Sequence, residues 1–226
     1  MEFFYIRHGE PVYDPDSLTN KGHEQARLLT TYFLNCGLNQ IYSSTSVRAI
    51  QTAKPTCDAL GLVMQLVDFA NEKYAYKDFS IGEGSERSWL SGNWMSRTLF
   101  ASKEIRELGF QWYNHAALSK YKYEKGVERV YNDCDKFFLS IGYEHIRYTG
   151  KYNVISHSDK KIALFAHEGF GKIFLSCMLD IPYPYICNCF NMSHTGVTKI
   201  RFIENDGEAV PVVDFWSSQG HLYKFN

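Results

Sequence analysis

The residues Phe3-Phe4-Tyr5-Ile6-Arg7-His8-Gly9-Glu10 constrain this chain more than any other stretch. Four apolar or aromatic side chains in an unbroken row suit a short strand covered on both faces, as strands are inside a parallel sheet. The row ends in a cation, an imidazole, a glycine and a carboxylate. Gly9 admits a turn where a side chain would clash. In open α/β sheets ligands sit at the carboxyl ends of strands. Taken alone, His8 also reads as a packed strand-end histidine.

The same pattern returns at Lys161–Ala166, a second short apolar run that stops at His167-Glu168-Gly169. Between them the sequence predicts strands at 2–7, 40–43 and 62–67. Residues 11–18, with two prolines, read as a loop. A helix starts at Thr19, whose hydroxyl suits an N-cap. A second starts at Thr45 or Ser46, carries Arg48 in its first turn, and meets Pro55, which is expected to kink it or end its first segment. Two strand–helix–strand passages with right-handed crossovers give a parallel sheet covered by helices. The expected fold is α/β, a three-layer sandwich with a mostly parallel central sheet, in one domain spanning 1–226.

Residues 86–150 change character and are expected to form a helical excursion, or lid, over the strand ends. Residues 101–118 read as helical. Over 126–143, Val127, Val130, Cys134, Phe137 and Ile141 follow 3-4 spacing. Residues 197–203 and 208–216 read as a hairpin around Asn205-Asp206-Gly207, and Pro211 marks its second strand as an edge.

Composition excludes several classes. The net charge of −1 gives no electrostatic case for nucleic acid or an anionic membrane surface. No apolar run approaches the ~20 residues of a membrane helix, and the first residues read as a strand rather than a secretory leader. Six cysteines occur without a Cys-x-x-Cys pair, which suits reduced thiols and a cytoplasmic setting. No ligand spacing implies a metal, and no cofactor is expected. The oligomeric state is not encoded in any pattern.

The chemistry follows from placement. Two imidazoles, His8 and His167, each follow a short strand, and Arg7 and Arg48 add two guanidinium forks matched to phosphate oxygens. With the helix N-terminus at Thr45-Ser46, these groups make an anion pocket suited to a phosphoryl group. An imidazole nitrogen can attack phosphorus, and a nearby carboxylic acid must protonate the leaving alkoxide.

Arg7-His8-Gly9-Glu10 resembles the signature of the histidine phosphatase superfamily, which includes the cofactor-dependent phosphoglycerate mutases. Leu18-Thr19-Asn20-Lys21-Gly22-His23-Glu24-Gln25-Ala26 and Ser43-Ser44-Thr45-Ser46-Val47-Arg48-Ala49-Ile50-Gln51-Thr52-Ala53 resemble its next two motifs, and Ala166-His167-Glu168-Gly169 its last. The likeness covers about 1–83 and 160–203. It implies His8 as nucleophile and phosphate clamping by Arg7, Arg48 and His167, with Thr19 a polar neighbour of the pocket. It places the acid after the third strand, at Glu72 in Asn71-Glu72-Lys73, with Glu83 as the alternative. It implies no metal. His194 is a further candidate for the pocket's edge.

Two departures matter. Where the family often has an Asn that helps bind phosphate, this chain has Asp14, which would repel it. The mutases' Asn-Glu-Arg-x-Tyr-Gly is only partly matched by Asn71-Glu72-Lys73-Tyr74-Ala75. The expected function is therefore a phosphomonoester hydrolase acting through phosphohistidine on a small phosphorylated metabolite. The alternatives are a mutase-type phosphoryl transfer and a non-catalytic phospho-ligand binding protein.

Overall fold

A computed structural model of the chain describes residues 1–223. In chain order its elements are β1 (Glu2–Arg7), β2 (Pro11–Tyr13), β3 (Asp16–Leu18), α1 (Asn20–Cys36), β4 (Gln40–Ser44), α2 (Val47–Leu60), β5 (Met64–Val67) and α3 (Glu72–Asp78). There follow β6 (Ser80–Ile81), β7 (Ser88–Trp89), α4 (Trp94–Phe100), α5 (Lys103–Leu108), α6 (Tyr123–Ser140), β8 (Tyr143–Ile146) and β9 (Lys151–Val154). The last are β10 (Lys161–Ala166), α7 (Glu168–Leu179), α8 (Tyr183–Cys189), β11 (Val197–Asn205) and β12 (Glu208–Ser218).

The main sheet runs β5-β4-β10-β1-β11-β12-β9-β8. Its first four strands are parallel, and β1 is flanked by β10 on one side and antiparallel β11 on the other. The expected sandwich is present, with a parallel half that carries strands β1, β4, β5 and β10 and an antiparallel half that extends it. Alternation within β1 explains why its apolar run is unbroken. Phe3 and Tyr5 enter the core under α6 and α7, while Phe4 and Ile6 enter the one under α1 and α2, with Leu29, Phe33, Ala53 and Cys57. Phe138 of α6 shows how the first core is knit. It is fully buried and lies 5.3–6.1 Å, ring to ring, from Phe3, Tyr152, Phe174 and Phe202. Truncating such a residue to Ala typically costs about 3–5 kcal/mol.

Several expectations change in detail. Residues 11–18 form the small β2–β3 hairpin rather than a loop, since both prolines lie where no ladder donor is needed. Pro55 sits inside α2, which runs on to Leu60. The stretch 101–118 is α-helical only at α5, and 3₁₀ turns cover Gly109–Asn114 and Ala116–Leu118. The periodic segment is α6, shifted to 123–140, and Ile141 leaves the helix at φ −111°. Residues 86–150 also divide. α6 lies on the sheet face against α7, because its stripe is buried in the main core, and β8 is the sheet's outermost strand. Asp206 and Gly207 both have positive φ, as a two-residue hairpin turn requires. Pro211 pairs with Phe202, while β9 reaches β12 only at Glu208 and Ala209, so β12 is an edge only from Pro211 on.

Among the described residues no helix is long and apolar enough to cross a membrane. The six cysteines are all free.

Candidate active site

The functional side chains gather at the carboxyl ends of β1, β4, β5 and β10. β1 delivers Arg7 and His8. β4 ends in Ser43 and Ser44, and α2 then presents Arg48 from its first turn. β10 delivers His167, the residue before α7. α3 starts with Glu72 after Asn71 caps it, and the Asn71 amide also donates to the Thr45 hydroxyl at 2.9 Å. Arg7, His8, Arg48 and Glu72 line one cavity of about 460 Å³ together with Tyr13, Trp89 and Arg97.

The motif residues around them act as scaffolding. Thr52 Oγ1 accepts from the Gly9 N–H at 2.9 Å and donates to the Arg48 carbonyl at 2.7 Å. Gln25 Oε1 accepts from the Glu10 N–H at 2.8 Å. A Cβ on Gly9 would stand 2.7 Å from the Gly22 carbonyl oxygen, so these two turns can touch only as glycines. Tyr5 donates to the His167 carbonyl at 2.6 Å and accepts from the His167 N–H at 3.2 Å, fixing the two strand ends together.

Both imidazoles are buried, and their ring centres are 5.2 Å apart. His8 Nδ1 lies 2.7 Å from the Gly9 carbonyl, which can only accept, so Nδ1 carries the proton. Nε2 is left with its lone pair and no partner among the described residues. Burial, helped by the nearby charge of His167 and by Arg48 and Arg7, pulls the His8 pKa down to about 2 against the Gly9 bond, so the ring is neutral at working pH. His194 lies 5.8 Å from the His8 ring and is pulled down to about 4, chiefly by burial and then by Arg7. It neighbours the His8 ring but is not among the residues that line the cavity.

His167 Nε2 faces the Ser44 and Ser46 hydroxyls at 2.9 and 3.2 Å. Its Nδ1 is 3.0 Å from Glu72 Oε2 and 3.1 Å from Arg48 Nη2. Two proton placements fit. Either Nδ1–H donates to a Glu72 carboxylate, or Arg48 donates to a bare Nδ1 and the proton sits on Glu72. Glu72 and Arg48 thus share one nitrogen of His167. A Cβ on Gly169 would come within 2.6 Å of Glu72 Oε1, which explains the glycine two residues after His167.

The sequence candidates separate. Arg7, His8, Arg48, Glu72 and His167 come together. Glu83 is exposed and lies in a different cavity, beside Arg87 and Lys120. Thr19 is a correction, because it does not line the cavity. Its hydroxyl accepts from the Gly22 N–H at 3.0 Å as the cap of α1 and donates to Glu10 at 3.1 Å. Asp14 is exposed; Asp16 instead accepts from Arg48 Nη1 and from the Val47 N–H, both at 2.8 Å. That carboxylate occupies the α2 N-terminus expected to receive phosphate.

Other groups were not visible in the sequence. Glu168 Oε2 is 2.8 Å from Arg7 Nη1, and its Oε1 is 2.8 Å from Lys172 Nζ. Lys172, one helical turn on in α7, is 2% exposed and reads in the sequence as an ordinary helix charge. Arg97 comes from α4, where the motifs have ended.

His8, Glu72 and His167 offer three ligand atoms within 4.8 Å of one another, a spacing open to a metal ion. Four cationic side chains, Arg7, Arg48, Arg97 and Lys172, line the same cavity. The Nη2 of Arg48 already faces His167 Nδ1 at 3.1 Å. The buried Nε atoms of Arg7 and Arg48 have no acceptor among the described residues. The donor set fits an anion rather than a cation.

Residues 3–75 match the family model of the histidine phosphatase superfamily, branch 1. Over those residues the chain is similar to that superfamily. A likeness in fold to solved structures extends over nearly the whole chain. Phosphoserine phosphatase from Entamoeba histolytica, in complex with 3-phosphoglyceric acid, shares 18% identity with a TM-score of 0.63 over 98% of this chain and 99% of that one. A mycobacterial glucosyl-3-phosphoglycerate phosphatase complexed with VO3 shares 13% identity with a TM-score of 0.60, over 96% and 99%. The alpha-ribazole phosphatase of Shigella flexneri shares 17% with a TM-score of 0.60, over 97% of both chains. At such identities these structures establish the fold. No curated protein matches the chain.

Proposed function

We propose that this protein is a phosphomonoester hydrolase that works through a phosphohistidine on His8, acting on a small phosphorylated metabolite. The observation that carries the reading is the orientation of His8, with Nδ1 tied to the Gly9 carbonyl and Nε2 unpartnered beside Arg7 and Arg48. The match of residues 3–75 to histidine phosphatases and the phosphatase names of the structural neighbours support it.

The steps follow from the geometry. The substrate phosphate takes the guanidinium donors of Arg7 and Arg48. His8 Nε2 attacks phosphorus, the P–O ester bond breaks, and Glu72 gives its proton to the departing alkoxide. Water then attacks the phosphohistidine with the Glu72 carboxylate taking its proton, which returns His8 to the neutral state. Charge on the equatorial oxygens is held throughout by preorganised cations, the dominant need in phosphoryl transfer. No step draws on a metal.

The test is an acid-labile, base-stable phosphoryl label after mixing with substrate. It is expected on wild type, absent from His8→Ala, and unaffected by dialysis against a chelator. His8→Ala should abolish turnover with its melting transition retained. Label on Ser or Asp would overturn the nucleophile. Label passed to a second substrate rather than to water would favour the mutase reading, and binding without turnover the non-catalytic one.

A further inference from the structure

A second cavity, of about 550 Å³, lies at the C-terminal end of α3 and has no lining residue in common with the one that holds His8. Five cations line it, Lys77, Arg87, Lys120, Lys122 and Lys125, against two carboxylates, Asp78 and Glu83. Asp78 is already paired, with Arg129 Nε at 2.7 Å, and Glu83 is exposed. None of the five cations forms an ion pair with a carboxylate among the described residues. Elsewhere the surface is arranged otherwise. Lys21, Lys54 and Lys151 each hold a carboxylate at 2.7–2.8 Å. In a chain whose net charge is −1, five unpaired cations converging on one concavity repel one another, and the field there favours an anion.

The walls of this cavity are tied to each other. Tyr123 donates to the Ser80 carbonyl at 3.1 Å, and the Gly82 N–H donates to the Tyr121 hydroxyl at 3.2 Å. Tyr121 stacks on Tyr123 with ring centres 5.1 Å apart. A Cβ on Gly126 would stand 2.8 Å from Asp78 Cβ, so α6 meets the end of α3 with no room between. Arg87 is fixed three times over. Its Nε donates to Ser80 Oγ at 2.6 Å, its Nη2 to the Lys77 carbonyl at 3.0 Å, and its guanidinium carbon lies 5.3 Å from the Tyr76 ring centre. Nη1 is left without a partner among the described residues. A guanidinium held in this way loses little freedom when it takes a ligand oxygen. A single phosphate would leave most of the five cations unpaired, whereas linked phosphoryl groups reach several of them at once.

We propose that this cavity is a second anion site, separate from the His8 cavity, that binds a ligand carrying two or three linked phosphoryl groups. The chain of phosphates is the recognised chemistry, in a free inorganic chain or in a nucleotide. The proposal does not depend on the hydrolase reading above.

The test is calorimetric titration of the full chain with sodium tripolyphosphate. Tripolyphosphate should bind at least about tenfold more tightly than inorganic phosphate, because it engages several cations together. Combined Lys120→Ala, Lys122→Ala and Lys125→Ala, all at exposed positions, should weaken it about tenfold or more, each exposed pair supplying a few-fold at most. Arg87→Lys, which keeps the charge without the fork, should weaken it about threefold. Because the His8 cavity also offers guanidinium donors, Arg48→Ala separates the two sites. Binding that survives Arg48→Ala and is lost in the triple lysine variant supports the proposal. Binding lost in Arg48→Ala and kept in the triple variant places tripolyphosphate in the His8 cavity and overturns it. So does the absence of binding to the wild type. A control that removes equal charge elsewhere, Lys103→Ala with Lys151→Ala and Lys160→Ala, should leave the affinity unchanged; an equal loss there would mean that only net charge is read, and would also overturn it. ATP is the second arm. An affinity equal to or above that of tripolyphosphate assigns the site to nucleotides, and a lower one to inorganic chains, the site standing in both cases.

Discussion

Glu168 Oε2 stands 2.8 Å from Arg7 Nη1, so a carboxylate already takes one of the guanidinium donors proposed for phosphate. The pair is partly buried, at 16% and 28% side-chain exposure, and Lys172 steadies the other oxygen of Glu168 at 2.8 Å. A phosphate bound as proposed would share the Arg7 guanidinium, whose Nε meets no acceptor among the described residues, with Glu168, which Lys172 also holds.

Replacing Glu168 with Gln removes the competitor. Inorganic phosphate should then inhibit at lower concentration, by about 3–10-fold, in line with the ~1 kcal/mol of a partly exposed ion pair. The inhibition constant for phosphate against a chromogenic substrate is the measurement. An unchanged or weaker inhibition would show that Glu168 holds Arg7 in place for phosphate instead of competing with it.

The placement of Glu72 against His167 and Arg48 carries a prediction about leaving groups. An alkyl phosphate departs as a strongly basic alkoxide and needs a proton; a nitrophenyl phosphate departs as a weak base and does not. Glu72→Gln should slow alkyl esters by about 10²–10⁴-fold and the aryl ester much less. Glu83→Gln should change neither selectively, because Glu83 is exposed and lies outside this cavity. Equal slowing of both esters by Glu72→Gln would reduce Glu72 to an electrostatic partner of Arg48.

Far from the site, β8 places His145 between two carboxylates. Its Nδ1 is 2.8 Å from Asp135 and its Nε2 3.1 Å from Asp180, while Arg147 holds the other oxygen of Asp135 at 2.6 Å. Burial lowers the His145 pKa, but the hydrogen bonds and charges of Asp135 and Asp180 outweigh it and the net shift is upward from 6.5. A raised native value means that the stabilisation is complete below pH 6.5 and is lost as pH rises through the native pKa. His145→Asn should therefore lower Tm more at pH 5.5 than at pH 9. Each kcal/mol amounts to about 2–4 °C for a domain of this size, within reach of calorimetry. The same Tm gap at both pH values would mean that His145 contributes only by packing.

The parallel half of the sheet and the gathering of five candidate site residues were legible in the sequence for one reason. Arg7, His8, Arg48, Glu72 and His167 sit at strand ends or in first helical turns, where local pattern fixes position. Thr19 misled because its motif serves the backbone: the hydroxyl caps α1, and the phosphate role was inferred from proximity alone. Asp16 was hidden by the two prolines before it, which suggested a loop where the β2–β3 hairpin aims a carboxylate at Arg48. Lys172 and Arg97 were hidden differently. Each lies on a helix whose sequence says only that a charge is there, and the tertiary fold decides that the charge faces the cavity. Of the two residues considered for the acid, Glu83 is exposed and outside this cavity, a distinction that spacing does not contain, and Glu72 is the one the proposed mechanism uses.

The antiparallel half of the sheet has a practical use. β11 runs opposite to β1, pairing Val197 with Ile6 beside the site and Arg201 with Glu2 at the far end. The hairpin then continues away to an exposed tip at Asn205, Asp206 and Gly207. A dye, an affinity peptide or a surface tether grafted at that tip would be carried at the end of a rigid arm, on the opposite side of the molecule from His8. The protein thus comes with its own handle, one through which it can be held still while its chemistry is watched.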